Sequence, residues 1–120
     1  MTRTVKATRE GLVGGTTSLG WKIDTIYPFV ALPSKKALGM WVSVTNPLNG
    51  KHCCAQVMDV GPFNIYDDDY VFGESRPAAE SGKSLSNKGT NKAGIDLGEK
   101  VWNLLGMLDN TDVIWEFVGV

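Results

Sequence analysis

The 120-residue chain is short of the residues that metal and thiol chemistry need. It has one histidine, His52, and two cysteines, the adjacent Cys53 and Cys54. Neighbours on an extended strand point to opposite faces, so these thiols are badly placed to pair with each other. With no third cysteine, a disulfide framework is excluded. His-Cys-Cys also makes a poor zinc site. Three consecutive strand residues do not converge on one tetrahedral ion, and no further Cys or His completes the shell. No metal and no cofactor is expected, and the two thiols read as one buried and one half-exposed strand residue.

Charge of one sign is equally scarce. Twelve Lys and Arg against thirteen Asp and Glu leave a formal net charge of −1. No basic excess is available to neutralise phosphates, so nucleic acid is not an expected partner. No apolar run approaches the ~20 residues of a membrane span. The opening "MTRTVKATREGLVGG" also lacks the apolar segment of about 7–15 residues that a secretory signal needs. As written the chain is expected to be cytoplasmic, or to act at a cell wall after trimming or by phage-type delivery.

What is present fits one globular domain over residues 1–120: 42% hydrophobic and 21% charged residues, enough to bury a core without staples. Fourteen glycines and five prolines suggest the many turns of a mainly β fold. "TVKAT" reads as a first strand and "REGLVGGTTSLGWKIDT" as a loop. "IYPFVALPS", interrupted by proline, reads as an edge strand or irregular crossing. "KKALG" reads as one helical turn closed by Gly39. "MWVSVTN", the turn "PLNG" and "KHCCAQVMDV" form a hairpin over about residues 40–59, with Asn-Gly as its turn signal. Residues 64–92 lack any period and form a long inserted loop, a length that tends to be functional or mobile. In "GIDLGEKVWNLLGM" the residues Leu97, Val101, Leu104 and Leu105 fit one apolar helical face. Asp96 and Glu99 have the spacing of a capping box at its start. "VIWEFVGV" is a closing strand. Trp41, Trp102 and Trp115 read as core.

Asp59, in "AQVMDVGPF", ends an apolar strand directly before a Val-Gly-Pro turn. On its own it reads as a turn-former through an Asx turn, and Asp96 as a helix cap.

In order, "LP", "WVSVTNPLNGK", "VMDVGPF" and "GIDLGEKVWNLLGM" resemble the rare-lipoprotein-A group of double-psi β-barrels, to which expansins and family-45 endoglucanases are related. The likeness covers about residues 16–118 with one large insertion. It implies a single six-stranded double-psi β-barrel with one late α-helix. It also implies that Asp59 and Asp96 line one substrate groove and are the catalytic candidates. Two carboxyl groups flanking a glycosidic bond suit cleavage, one holding a proton for the leaving oxygen and the other staying ionised. The implied partner is a polysaccharide, peptidoglycan or a cellulose-like glycan. The implied function is its cleavage, as a glycoside hydrolase or lytic transglycosylase. The alternatives are a non-catalytic, expansin-like binding or loosening module, or a structural barrel of a phage particle.

One departure weakens cleavage. The lytic transglycosylases of the group carry a catalytic Glu where this chain has Trp21, and a His where it has apolar residues near Phe29. Glu10 and Asp24 are the possible substitutes, with Asp24 also matching a structural aspartate of the group. Trp21 is a candidate for stacking on a sugar ring. Asn64, Tyr66, Tyr70 and Phe72, in the insert, are further substrate-binding candidates as part of a lid. The acidic run at 67–69 lacks the alternation of known calcium loops. As a lid, the insert is expected to set substrate choice rather than stability, so that a short linker in place of residues 67–90 would hardly change Tm.

Overall fold

The structure, a computed structural model, describes residues 2–119. Six strands close into a barrel: β1 (Arg3–Glu10), β2 (Phe29–Leu32), β3 (Trp41–Thr45), β4 (His52–Val60), β5 (Ile95–Gly98) and β6 (Asp112–Phe117). Around the barrel they run β1-β5-β2-β4-β3-β6. Pairs β1/β5 and β2/β4 are parallel, and the others are antiparallel. Side chains alternate between the faces of a strand. Val5 and Ala7, Val30 and Leu32, Val42 and Val44, Ala55 and Val57, Ile95 and Leu97, and Val113 and Trp115 accordingly fill one buried core. The intervening residues of each strand form the barrel's outer face.

The β3–β4 hairpin is where the sequence put it, with Asn46 holding the turn through its backbone and side chain. Three other elements differ. β2 is no edge: it lies between β4 and β5 and all four residues are buried. Pro28 and Pro33 bracket the strand instead of interrupting it, so neither removes a donor from the ladder. The Ile95–Gly98 segment is strand β5, because it pairs with β1 over Ala7–Glu10. The helix α2 starts only at Glu99 and runs to Leu104, with Gly98 at its N-cap and no side-chain cap. Asp96 therefore caps nothing. Of the proposed apolar face, Val101 and Leu105 are buried while Leu104 is exposed.

The third difference is the segment between Asn64 and Lys92. It contains a short helix α1 (Asp68–Val71) and a 3-10 turn at Ala78–Ser81. Tyr70 and Val71 belong to the core. The Tyr70 hydroxyl donates to Gly94 O at 2.9 Å and accepts from Trp115 Nε1 at 2.8 Å. The acidic run is partnered from within the chain: Asp67 accepts from Ala78 N, and Asp68 accepts from Ser34 and pairs with Lys36.

Among the tryptophans, Trp102 and Trp115 are core, but Trp41 is 37% exposed on the outer face of β3. The cysteines sit one step further out than expected, Cys53 half-buried and Cys54 exposed. Among the described residues, no helix is long and apolar enough to cross a membrane.

Gly98 is fixed by packing. A Cβ there would lie 2.4 Å from Cε1 of Phe29, a fully buried ring. Gly98→Ala is expected to cost about 1–3 kcal/mol by overpacking. A denaturation midpoint equal to the wild type's would show that Phe29 can swing aside.

Candidate functional site

The barrel register brings the two candidate aspartates together. Ala31 of β2 is paired on one side with Asp59 of β4 and on the other with Asp96 of β5. Asp96 is in turn paired with Thr8 of β1. Thr8, Asp96, Ala31 and Asp59 thus form one row across four adjacent strands. At the usual strand spacing the two aspartate Cα atoms are about 10 Å apart, with the buried Ala31 between them.

A bulge makes this possible. Val30 pairs with Val57 but Ala31 with Asp59, so Met58 is the extra residue. Strict alternation would put Gln56 and Asp59, three apart, on opposite faces; one bulged residue returns both to the outer face. The insert then leaves β4 just after Asp59 and returns on β5 with Asp96. Gly61 passes close enough that a Cβ there would lie 3.9 Å from Asp96 Oδ2.

Glu10, two residues beyond Thr8 on the same face of β1, completes a cluster of three carboxyl groups. Its Oε2 is buried and accepts no hydrogen bond from any donor. Burial, the hydrogen bond to Asp59 and the negative charges of Asp59 and Asp96 push its pKa up to about 8. Two carboxyl groups hydrogen-bond only if they share a proton, and here Glu10 keeps it. Asp96 is raised to about 6 by burial and the charge of Asp59, against the opposing hydrogen bond from Thr8. For Asp59 burial pushes upward, but hydrogen bonds from Glu10, from the backbone of Ser18 and Val60 and from the Ser18 hydroxyl outweigh it and hold the pKa below the ordinary value. At neutral pH the cluster holds an ionised Asp59 beside a protonated Glu10. Asp59 also makes the expected turn contact, to Val60 N, so its structural and surface roles coexist.

Trp21, at the position where the resembling transglycosylases carry Glu, packs against Phe29, near which they carry His. Trp21 meets Phe29 edge-on at 5.0 Å, and Tyr27 at 5.5 Å. Asp24 lies outside the carboxyl cluster in its contacts: its Oδ1 accepts from the backbone of Ile26 and Tyr27, shaping a turn.

Most insert candidates do not reach the carboxyl cluster. Tyr70 is fully buried under Trp115, so it cannot meet a sugar. Phe72 stacks on Phe117 at 5.3 Å, beside Arg3. Arg3 is five residues from Thr8 along β1, about 17 Å away. Asn64 is only 4% exposed, and its Oδ1 accepts from Leu85 N, which ties the insert together. Tyr66 is exposed under the Lys35 ammonium and lines a surface pocket with Phe63, four residues after Asp59.

Glu10 entered the sequence reading only as a substitute, because the first strand seemed to end at Thr8. Extending the strand by one more alternation would have put Glu10 on the face of Thr8. Its meeting with Asp59 depends on a parallel β1/β5 pairing that no local pattern encodes.

The fold is shared with solved structures. A Streptomyces papain inhibitor superposes with a TM-score of 0.59 at 18% identity, covering 99% of this chain and 96% of that one. The expansin of Clavibacter michiganensis, solved both as a mutant in complex with cellohexaose and in its apo form, superposes with the same TM-score and identity. Here the match covers 99% of this chain but 51% of the expansin, so the chain spans about half of that protein. These likenesses, with the closed six-stranded barrel, establish the double-psi, expansin-like fold. No curated protein matches the chain. Residues 1–115 match the family described as "Domain of unknown function (DUF8814)", and the chain belongs to that family.

Proposed function

We propose that the protein is a non-catalytic, expansin-like module that binds a polysaccharide along a groove walled by Asp59 and Asp96. The observation behind this reading is the Trp21–Phe29 pair. Where the resembling transglycosylases hold a Glu and a His, this chain has Trp21 and apolar residues near Phe29, which move no protons; the half-buried Trp21 is open to a sugar face, while Phe29 is buried beneath it. The carboxyl groups beside Trp21 suit hydroxyl recognition, since carboxylate oxygens accept hydrogen bonds from sugar hydroxyls. That the Clavibacter expansin was solved with cellohexaose agrees with a glycan ligand.

A second reading, cleavage, has one observation in its favour. An ionised Asp59 lies beside Glu10, which retains its proton at neutral pH with a pKa of about 8. Glycoside cleavage uses that division between acid and base.

Incubation with purified sacculi and with cellulose separates the two. Co-sedimentation without soluble products is expected. Reducing ends would mean hydrolysis, anhydro-ended sugars would mean transglycosylation, and either would overturn the binding-only reading. Asp59→Asn is expected to weaken binding about tenfold or more through loss of a charged acceptor. The amide oxygen can still take the Ser18 and Val60 hydrogen bonds, so Tm should change little. Unchanged binding by both Asp59→Asn and Asp96→Asn would remove the groove from the function.

A further inference from the structure

Beyond the carboxyl cluster, the same outer face carries an aromatic row that the groove does not use. The bulge at Met58 keeps Gln56 on the face of Asp59, and Gln56 is paired with Phe29 on one side and Trp41 on the other. The Tyr27 hydroxyl donates to Gln56 Oε1 at 2.7 Å, and Gln56 Nε2 donates to Gly39 O at 3.0 Å. Tyr27 is therefore fixed in place by a side chain that is itself fixed. Its ring lies 5.5 Å from Trp21 and 6.4 Å from Trp41. Trp21 and Tyr27 are half-buried and Trp41 is exposed. The row Trp21–Tyr27–Trp41 runs from the Phe29 edge of the carboxyl groove across β2 and β4 to β3.

Three rings packed in sequence, the middle one fixed by its hydrogen bond to Gln56, are not needed by the core, which lies on the other side of these strands. Indole and phenol rings anchored this way lose little entropy on binding a ligand, and their faces match the apolar faces of pyranose rings. The carboxyl groups lie at one end only, so a ligand crossing both regions needs hydroxyl groups at that end and stackable, uncharged rings along the rest. A β-linked glycan chain has both.

The tilt of the rings narrows the ligand. Successive planes are inclined by 57° and 56°. A crystalline glycan surface presents one plane to all its contacts, and rings so inclined cannot all lie flat on it. A single chain, free to rotate at each linkage, can follow them.

We propose that Trp21, Tyr27 and Trp41 form an extended binding platform, continuous with the Asp59–Asp96 groove, that takes one separated β-linked glycan chain and not a crystalline surface. The proposal rests on the glycan-binding reading and assigns its ligand form and the residues that measure chain length.

The test is titration of the whole protein with cellobiose, cellohexaose and chitohexaose, with microcrystalline cellulose as the ordered counterpart. Wild type is expected to bind a hexasaccharide more tightly than the disaccharide, and swollen amorphous cellulose more than the crystalline form. Preference between the cello- and chito-hexasaccharides identifies the source of the chain. Trp41→Ala is expected to lower hexasaccharide affinity by about two- to tenfold, the range for one aromatic contact. The variant's affinities for hexasaccharide and disaccharide should lie closer together than those of wild type. In unmodified protein the Trp41 indole N–H resonance should shift with the hexasaccharide and not with the disaccharide, a readout that does not depend on the variant folding. If glycans bind with Asp59 dependence but Trp41→Ala keeps the full length dependence and its resonance stays still, the platform is wrong and the groove reading stands. Tighter binding to crystalline than to amorphous cellulose would also overturn the platform. If no glycan binds wild type, both fall.

Discussion

Tyr70→Ala is expected to destabilise the protein by about 3–5 kcal/mol, the cost of truncating a large buried aromatic. Three things are lost together. The ring is fully buried in the core. It packs edge-on against Trp115 at 6.0 Å. Its hydroxyl bridges Trp115 Nε1 and Gly94 O, both left without that partner in the variant. Tyr70→Phe separates these contributions. It keeps the ring but strands a buried indole N–H, at about 1–3 kcal/mol. The same reasoning reverses the expectation for the whole insert. A linker replacing residues 67–90 removes Tyr70 and Val71 from the core along with Ala79, so a large fall in Tm is expected. Measured thermal unfolding within a few degrees of wild type would mean that the insert is a removable lid after all.

That reversal shows where the sequence was legible. The hairpin was readable because its signals are local: alternating β-branched residues, an Asn-Gly turn, a return strand. The order of short motifs from Leu32-Pro33 to Gly94–Met107 made the barrel recognisable. The insert misled because its core residues are few and aperiodic. One buried Tyr and one buried Val amid polar residues look like an exposed aromatic loop unless the barrel opening they close is known. Asp96 misled for the opposite reason. Leu97 and Val101 have a helical spacing by coincidence, since Leu97 is a strand residue facing the core and Val101 a helical one. Whether a short apolar segment becomes strand or helix was decided by its parallel partner β1, a non-local pairing. The aspartate pair was legible only by resemblance. The third carboxyl group and the aromatic row needed the register and the Met58 bulge, neither of which a single sequence displays.

The carboxyl cluster should make stability fall as pH rises through neutrality, and Glu10→Gln should abolish most of that fall. The groups facing Glu10 are Asp59 from β4 and Asp96 from β5, both acidic. The native pKa of Glu10 is about 8 against an ordinary value of 4.5. Between those values the native state keeps a proton that the unfolded chain has released. Stability falls with pH wherever the native state binds more protons. The contribution of Glu10 is therefore complete below pH 4.5 and is lost as pH climbs to about 8. Asp96 acts in the same direction, but its window closes at about pH 6. Asp59, held below its ordinary value, has the opposite sign and acts only in acid, below about 3.8. Thermal unfolding between pH 6 and 9 thus isolates Glu10 within this cluster. A glutamine there stays neutral and can donate its amide to Asp59, as the protonated acid does. Wild type and Glu10→Gln should melt together near pH 5 and diverge steadily, the variant being the more stable by several degrees at pH 9. Parallel curves across that range would mean that Glu10 is ionised like any surface glutamate and shares no proton with Asp59.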